Sequence, residues 1–448
     1  MRRTLLPAVL LLAVAAPGRA QEVPARLTLE EALRIAERNQ PEYRKALNQL
    51  ELAAVQERRS WGAFLPSLSA TLGFSGSNSR VRTATGDFDE VLENSTYVET
   101  TGSSASQGLG LSLTLFDGGR ALNDLRSAKA ASRAAEAQAE AQALQLRANV
   151  TLRFYGVLQA QQKAAVAERL LASSREQLEL TRRRFEIGSA RREEVLAAEA
   201  DVAGQEAELE RARGELRKQR LLLLQAIGVG QEAEFQAVGE LPEVFDPARL
   251  DEDALVAAAL ESNPRIQAAR SSLLARERAA SAARGARWPR VALNANLSRS
   301  VTRRGYEAFF DLEPVNRSRG FSLSFSLPLF TQFQTSAAIA QADVGRADAE
   351  EDLRKERIAL EVEVRTALID LSNAYRSLEL AERQLRLNQE RLELTQERYR
   401  VGGPVSFIEL QNAVREVASA ESRAIDARFA FVNALVTLES KVGREVRP

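Results

Sequence analysis

The sequence predicts a mainly α-helical, internally duplicated fold, a long coiled-coil helical barrel with a β-barrel portion to which each chain gives four strands. Three observations carry this reading. The chain repeats itself at an offset of 214–223 residues, it holds four runs of alternating apolar and polar residues, and it holds two proline-free stretches of 70 residues.

The repeat is clearest between REQLELTRRRFEIG (175–188) and QERLELTQERYRVG (389–402), where seven of fourteen positions agree at a shift of 214. Asn39-Gln40-Pro41 answers to Ser262-Asn263-Pro264, and Leu65-Pro66 to Trp288-Pro289, at a shift of 223. Leu115-Phe116 answers to Leu329-Phe330 at 214, and Ile227-Gly228 to Val442-Gly443 at 215. The domains expected are therefore a first repeat in 21–228, a linker at 229–249, a second repeat in 250–443 and a short tail at 444–448.

Strands are expected at about 67–79, 107–116, 290–301 and 319–330. Leu109, Leu111, Leu113 and Leu115 alternate with Gly110, Ser112 and Thr114, and Phe321, Leu323, Phe325, Leu327 and Leu329 alternate with Ser322, Ser324, Ser326 and Pro328. Period two gives a sheet one apolar and one polar face. Ten residues suffice to cross a bilayer when tilted. The plainer alternative is half of a soluble sandwich. Against it, the polar face is nearly all Ser, Thr, Gly and Asn, as suits a water-filled lumen. Trp61, Phe64, Phe116, Trp288 and Phe330 also gather at one end of the strands, like an interfacial girdle.

Helices are expected over 118–187 and 332–401, each about 100 Å long at ~1.5 Å per residue. Shorter helices at 28–62 plus 190–228, and at 250–287 plus 405–443, have summed lengths close to those of the long ones. Two short helices stacked end to end thus match one long helix. Thr28 and Glu31 have capping-box spacing, whereas the copy, Asp251 and Ala254, lacks the acid.

Residues 1–20 read as a secretory signal peptide, with Arg2 and Arg3, an apolar stretch from Leu5 to Ala16, and small residues at Pro17-Gly18-Arg19-Ala20. Its three arginines taken from 61 basic residues leave 58 against 61 acidic ones, near −3 net, which offers no footprint for nucleic acid. Cysteine and histidine are both absent, so disulfides, thiol chemistry and the commonest general base and metal ligand are excluded. No catalytic constellation, cofactor motif or metal site is expected.

Four strands cannot close a barrel, and an open edge in lipid leaves backbone groups unpaired at several kcal/mol each. Two chains would give eight strands and three would give twelve. Eight enclose an interior filled by side chains, so an open lumen favours three, with two chains left possible at this point.

Together, the signal peptide, the LTLEEAL opening with its N-x-P, the Leu-Pro junctions, the strand-closing Leu-Phe pairs and the Y-x-x-G turn resemble TolC-like outer membrane factors over about 27–443. The resemblance implies a homotrimer with a twelve-stranded barrel in outer-membrane lipid and a helical tunnel through the periplasm. It implies docking to a periplasmic adaptor (a membrane fusion protein) and to an inner-membrane transporter of RND, ABC or MFS type, for efflux or type I secretion. It places loops 75–106 and 303–318 outside the cell. The turns near 188–191 and 402–405 become the periplasmic tip, with Ile187, Gly188, Val401, Gly402 and Gly403 as adaptor contacts. In the family, acids six and nine positions beyond the turn glycine narrow the tunnel. Counted from Gly403 these are Glu409 and Asn412, and from Gly188 the first is Glu194, so one carboxylate position is an amide here. The rival reading is a soluble periplasmic coiled-coil adaptor, and an exported enzyme is disfavoured.

Overall fold

The computed structural model describes residues 23–83, 96–230, 233–305, 316–400 and 406–446. The signal segment lies outside them. The first half runs β1 (Arg26–Leu27), α1 (Leu29–Asn39), α2 (Pro41–Gly62), β2 (Ser67–Thr83), β3 (Thr96–Phe116), α3 (Arg120–Glu186) and α4 (Arg192–Ala226). The second runs β4 (Gln236–Ala237), a 3-10 turn (Pro247–Arg249), α5 (Glu252–Ser262), α6 (Pro264–Gly285), β5 (Arg290–Arg304), β6 (Asn316–Ser326), α7 (Gln334–Arg400) and α8 (Phe407–Val442).

Where the sequence pattern suggests single helices over 28–62 and 250–287, the structure has two helices each. Proline has no N–H and biases its predecessor to extended backbone, so Gln40 (φ −69°, ψ 120°) and Asn263 (φ −65°, ψ 126°) break the run. Both breaks double as caps. The Gln40 Oε1 accepts the Tyr43 N–H at 2.8 Å, and the Asn263 Oδ1 accepts the Arg265 N–H at 2.9 Å. At the outer ends Thr28 and Glu31 close a reciprocal capping box, while Asp251 accepts the N–H groups of Asp253 and Ala254 by itself.

These breaks receive the ends of the lower helices. Gly228 (φ +75°) lies so close to the first break that an added Cβ would sit 2.8 Å from the Asn39 carbonyl. The buried Asn263 side chain donates to the Lys441 carbonyl, at the end of α8, at 2.8 Å. α2 and α4 therefore meet end to end, and both pack along α3. In its upper half α3 also packs on α6 through Ala130, Ala137 and Ala139 against a helix rich in buried Ala268, Ala275, Ala280 and Ala282. The Ser127 hydroxyl reaches the Ala275 carbonyl at 2.8 Å, a contact that small residues permit.

The main core lies where the helix ends meet. Phe154, Phe429, Phe431, Leu371 and Leu435 are essentially fully buried there. Residues 229–249, expected only to link the repeats, contribute to it. Phe235 is buried, β4 pairs in parallel with β1, and the Phe245 ring stands edge-on to Phe431 with centroids 5.9 Å apart. At its margin Glu363 takes hydrogen bonds from Lys441 (2.8 Å) and Arg265 (3.0 Å). Partial burial works to raise this carboxyl, but the Lys441 and Arg265 contacts outweigh it and hold it below its ordinary value.

The four long strands form one antiparallel sheet in the order β2-β3-β5-β6, so the two hairpins are joined through β3 and β5. Register places Leu68 opposite Leu111, Leu109 opposite Leu297, Leu113 opposite Leu293, and Leu293 opposite Leu323. Directly paired residues share a face, so the apolar side chains of all four strands meet on one side. Over most of its length that face is bare in the single chain, with Phe321, Leu68 and Leu323 86%, 74% and 65% exposed, whereas Ala105 and Val301 nearer the loop end are buried.

Two strand limits differ from the sequence pattern. β2 and β3 continue to Thr83 and from Thr96, so most of the segment expected as loop 75–106 is ladder. Its described Ser, Thr and Gly residues are paired, for example Gly76 with Ser103 and Ser79 with Thr100. β6 ends at Ser326 and not near 330, because Pro328 has no N–H to give a ladder.

Candidate functional site

The far end of the helical part is the candidate site, a tip built from two helical hairpins. α3 stops in a left-handed turn at Gly188 (φ +77°), where the Gly188 N–H bonds the Phe185 carbonyl at 2.9 Å and the Ser189 N–H bonds the Arg184 carbonyl at 2.7 Å. Ile187 projects from this turn, 79% exposed. Val401, Gly402 and Gly403, the equivalent turn, lie outside the described residues.

Glu194 and Glu409 occupy the same local position, the third residue of the helix that leaves each turn. The Glu409 carboxylate accepts the Ser406 N–H at 3.0 Å while the Ser406 hydroxyl accepts the Glu409 N–H at 3.2 Å. The Glu194 carboxylate accepts the Arg191 N–H at 3.4 Å. Each acid therefore satisfies a free N–H and sits at the positive end of a helix dipole. Glu409 and Asn412 are both exposed, and the Asn412 amide oxygen accepts from Arg415 at 3.3 Å.

Two further contacts tie the hairpins together, and neither was singled out from the sequence. Arg184 on α3 donates to the Tyr399 hydroxyl of α7, with its guanidinium 5.6 Å from the ring centroid. Tyr399 packs there on a small cluster of Leu178, Val195 and Ala198. Arg415 on α8 lies 4.0 Å from Asp201 on α4, and Asp201 also accepts the Ser174 hydroxyl at 2.7 Å. The duplication held a signal for the first pair: Arg184 is among the seven repeated positions, and Tyr399 replaces Phe185. Above these contacts the four helices enclose a groove of about 700 Å³ lined by Lys163, Gln177, Asp201, Arg415 and Arg423.

At the opposite end of the helices, Trp61, Phe64, Phe116, Trp288 and Phe330 are all exposed. Trp61 and Trp288 precede β2 and β5, and Phe116 and Phe330 end or follow β3 and β6, so all lie at the helix-side margin of the sheet. Trp288 and Leu297 are nine residues apart, about 30 Å if fully extended, which fits the ~25 Å apolar band of a barrel once the strand is tilted. Among the described residues, no helix is long and apolar enough to cross a membrane.

Comparison with known proteins agrees with this architecture. The outer membrane efflux protein of Brucella suis named BepC is 28% identical over 266 residues, covering 56% of this chain and 53% of that one. The alkaline protease secretion protein AprF of Pseudomonas aeruginosa is 27% identical over 319 residues, covering 70% and 64%. The chain thus spans about half to two thirds of these relatives. The crystal structure of the CmeC outer membrane channel of Campylobacter jejuni superposes with a TM-score of 0.74 at 19% identity, covering 93% of this chain and 85% of that one. The family model for outer membrane efflux protein matches residues 32–229 and 255–444, one match for each repeat. The chain belongs to the outer membrane efflux protein family.

Proposed function

We propose that this chain is the outer-membrane exit duct of a tripartite efflux or type I secretion machine, a passive channel that three copies build together. The observation that carries the reading is the four-stranded sheet with a largely bare apolar face and two outer strands, β2 and β6, each of which leaves one edge unpaired among the described residues. Such a face is stable against lipid, and such edges must be paired there.

The duplication supplies the pairing rule. β3, the second strand of repeat one, bonds β5, the first strand of repeat two. By the same relation β6 bonds β2 of the next copy, and three copies close twelve strands. The helices continue the wall, with the Ser- and Asn-bearing face of the sheet turned to the lumen. The family match and the names of the relatives support a channel over a soluble periplasmic adaptor.

Energy for transport then comes from an inner-membrane transporter of RND, ABC or MFS type, coupled through a periplasmic adaptor that meets Ile187, Gly188, Val401, Gly402 and Gly403. The resting tip is narrow. Arg184–Tyr399 and Arg415–Asp201 hold the hairpins in that state, and adaptor binding favours a wider one. Three copies of Glu409 ring the aperture, joined by Glu194 and Asn412, and favour cations there.

Light scattering on the detergent-solubilised mature protein, followed by planar-bilayer conductance, tests the duct. A conducting trimer is expected; a soluble, non-conducting species would overturn it. For the aperture, Glu409→Gln is the informative change, because glutamine keeps the capping bond and removes only the charge. It is expected to cut cation preference without altering helicity. Unchanged selectivity would leave Glu409 a helix cap alone.

A further inference from the structure

The outward, apolar face of the sheet does not end in uncharged residues. On β6, Arg319 and Arg317 follow Phe321 toward the loop end, and on β5, Arg299 stands between Leu297 and Val301. Register puts Arg319 opposite Leu297 and Arg299 opposite Arg317, so all three project from the apolar face at its upper margin. All three are exposed.

Like charges directly opposite one another weaken a sheet. Elsewhere on this face the conflict is absent among the described residues: Arg80 is opposite Glu99 and lies 4.8 Å from the Tyr97 ring centroid. Arg299 has Gln107 on its other side, and among the described residues no carboxylate pairs with Arg299, Arg317 or Arg319. Paired strands are about 4.8 Å apart and successive residues on one face about 6.6 Å apart, so three guanidinium groups fall within the reach of one headgroup. Arginine binds phosphate oxygens in a bidentate fork, and basic residues beside a hydrocarbon band attract anionic lipid. Charge on a lipid-facing strand is tolerated near the interface and costs most at mid-bilayer, which sets the depth of this cluster.

We infer that Arg299, Arg317 and Arg319 form a lipid-binding site on the outside of the barrel that holds the phosphate-bearing headgroup of one lipid in the loop-side leaflet. The inference rests on the membrane reading above. The bound phosphate neutralises the Arg299–Arg317 opposition and ties the second hairpin to the membrane surface at a fixed height.

The test uses the full mature protein in phosphatidylcholine nanodiscs, with and without phosphatidylglycerol, and compares wild type, Arg299→Gln/Arg317→Gln and the control Arg80→Gln. Phosphatidylglycerol is expected to raise the wild-type melting midpoint by several degrees. The double variant loses at least half of that gain, the control keeps it, and inorganic phosphate alone gives none. Equal gains in wild type and double variant, a full gain from inorganic phosphate, or no gain in wild type overturns the site. The wild-type comparison stands even where the variant fails to fold. Protein that inserts and conducts in pure phosphatidylcholine without preferring phosphatidylglycerol refutes the lipid site alone, whereas protein that does not insert refutes the membrane reading with it.

Discussion

Gly118→Ala is expected to destabilise the protein by about 2–5 kcal/mol and to cut the yield of the assembled channel. Gly118 joins β3 to α3 at φ +71°, and a Cβ there would lie 2.4 Å from the Gly285 carbonyl oxygen and 2.6 Å from the Trp288 Cβ. The left-handed backbone costs a side chain ~1–2 kcal/mol, and forced overpacking adds ~1–3 kcal/mol. The obstacle is backbone at the end of α6, so it cannot move aside as a side-chain tip would. The second repeat isolates the cause. Gln332 and Phe333, at the shift of 214 from Gly118 and Gly119, adopt φ of 51° and 64° without being glycine. Close approach to Gly285, more than the sign of φ, is therefore what demands Gly118. Gly188→Ala at the tip is the control: its φ is +77° but nothing lies within 4 Å of the added Cβ, so a loss of only ~1–2 kcal/mol is expected. Denaturant midpoints of the two variants, with light scattering for assembly, check the contrast. Equal losses would show that the junction yields.

Phe431→Ala is expected to cost about 3–5 kcal/mol, the range for a fully buried aromatic ring. Phe431 is 0% exposed and contacts Phe245 and Tyr375, with ring centroids at 5.9 and 6.2 Å. Phe245 belongs to the segment between the repeats, so the pair also measures how firmly that segment belongs to the core. A double-mutant cycle of Phe431→Ala and Phe245→Ala should return a coupling of ~0.5–1.5 kcal/mol, as edge-on rings give. Additive losses would mean that 229–249 rests on the core without helping to form it.

The long periodic features were the legible ones. A 67-residue helix or a Leu-x-Leu strand announces itself because every turn or every second residue repeats the same demand. Breaks at Pro41 and Pro264 are locally encoded too, but the helical pattern resumes at once on the far side and masks them. The β1–β4 pair was invisible, since two-residue strands paired 210 positions apart carry no period at all.

What the sequence determined by itself was the duplication, the alternation of each strand and the length of the two long helices, all of which are set by neighbours along the chain. Only the tertiary structure decided that Leu109 meets Leu297, that Arg299 opposes Arg317, that Arg184 reaches Tyr399 and that Gly118 touches Gly285. These contacts join residues that are not neighbours in the chain, and register or close packing selects them. A one-residue slip would reverse every strand face while leaving the pattern of each strand intact.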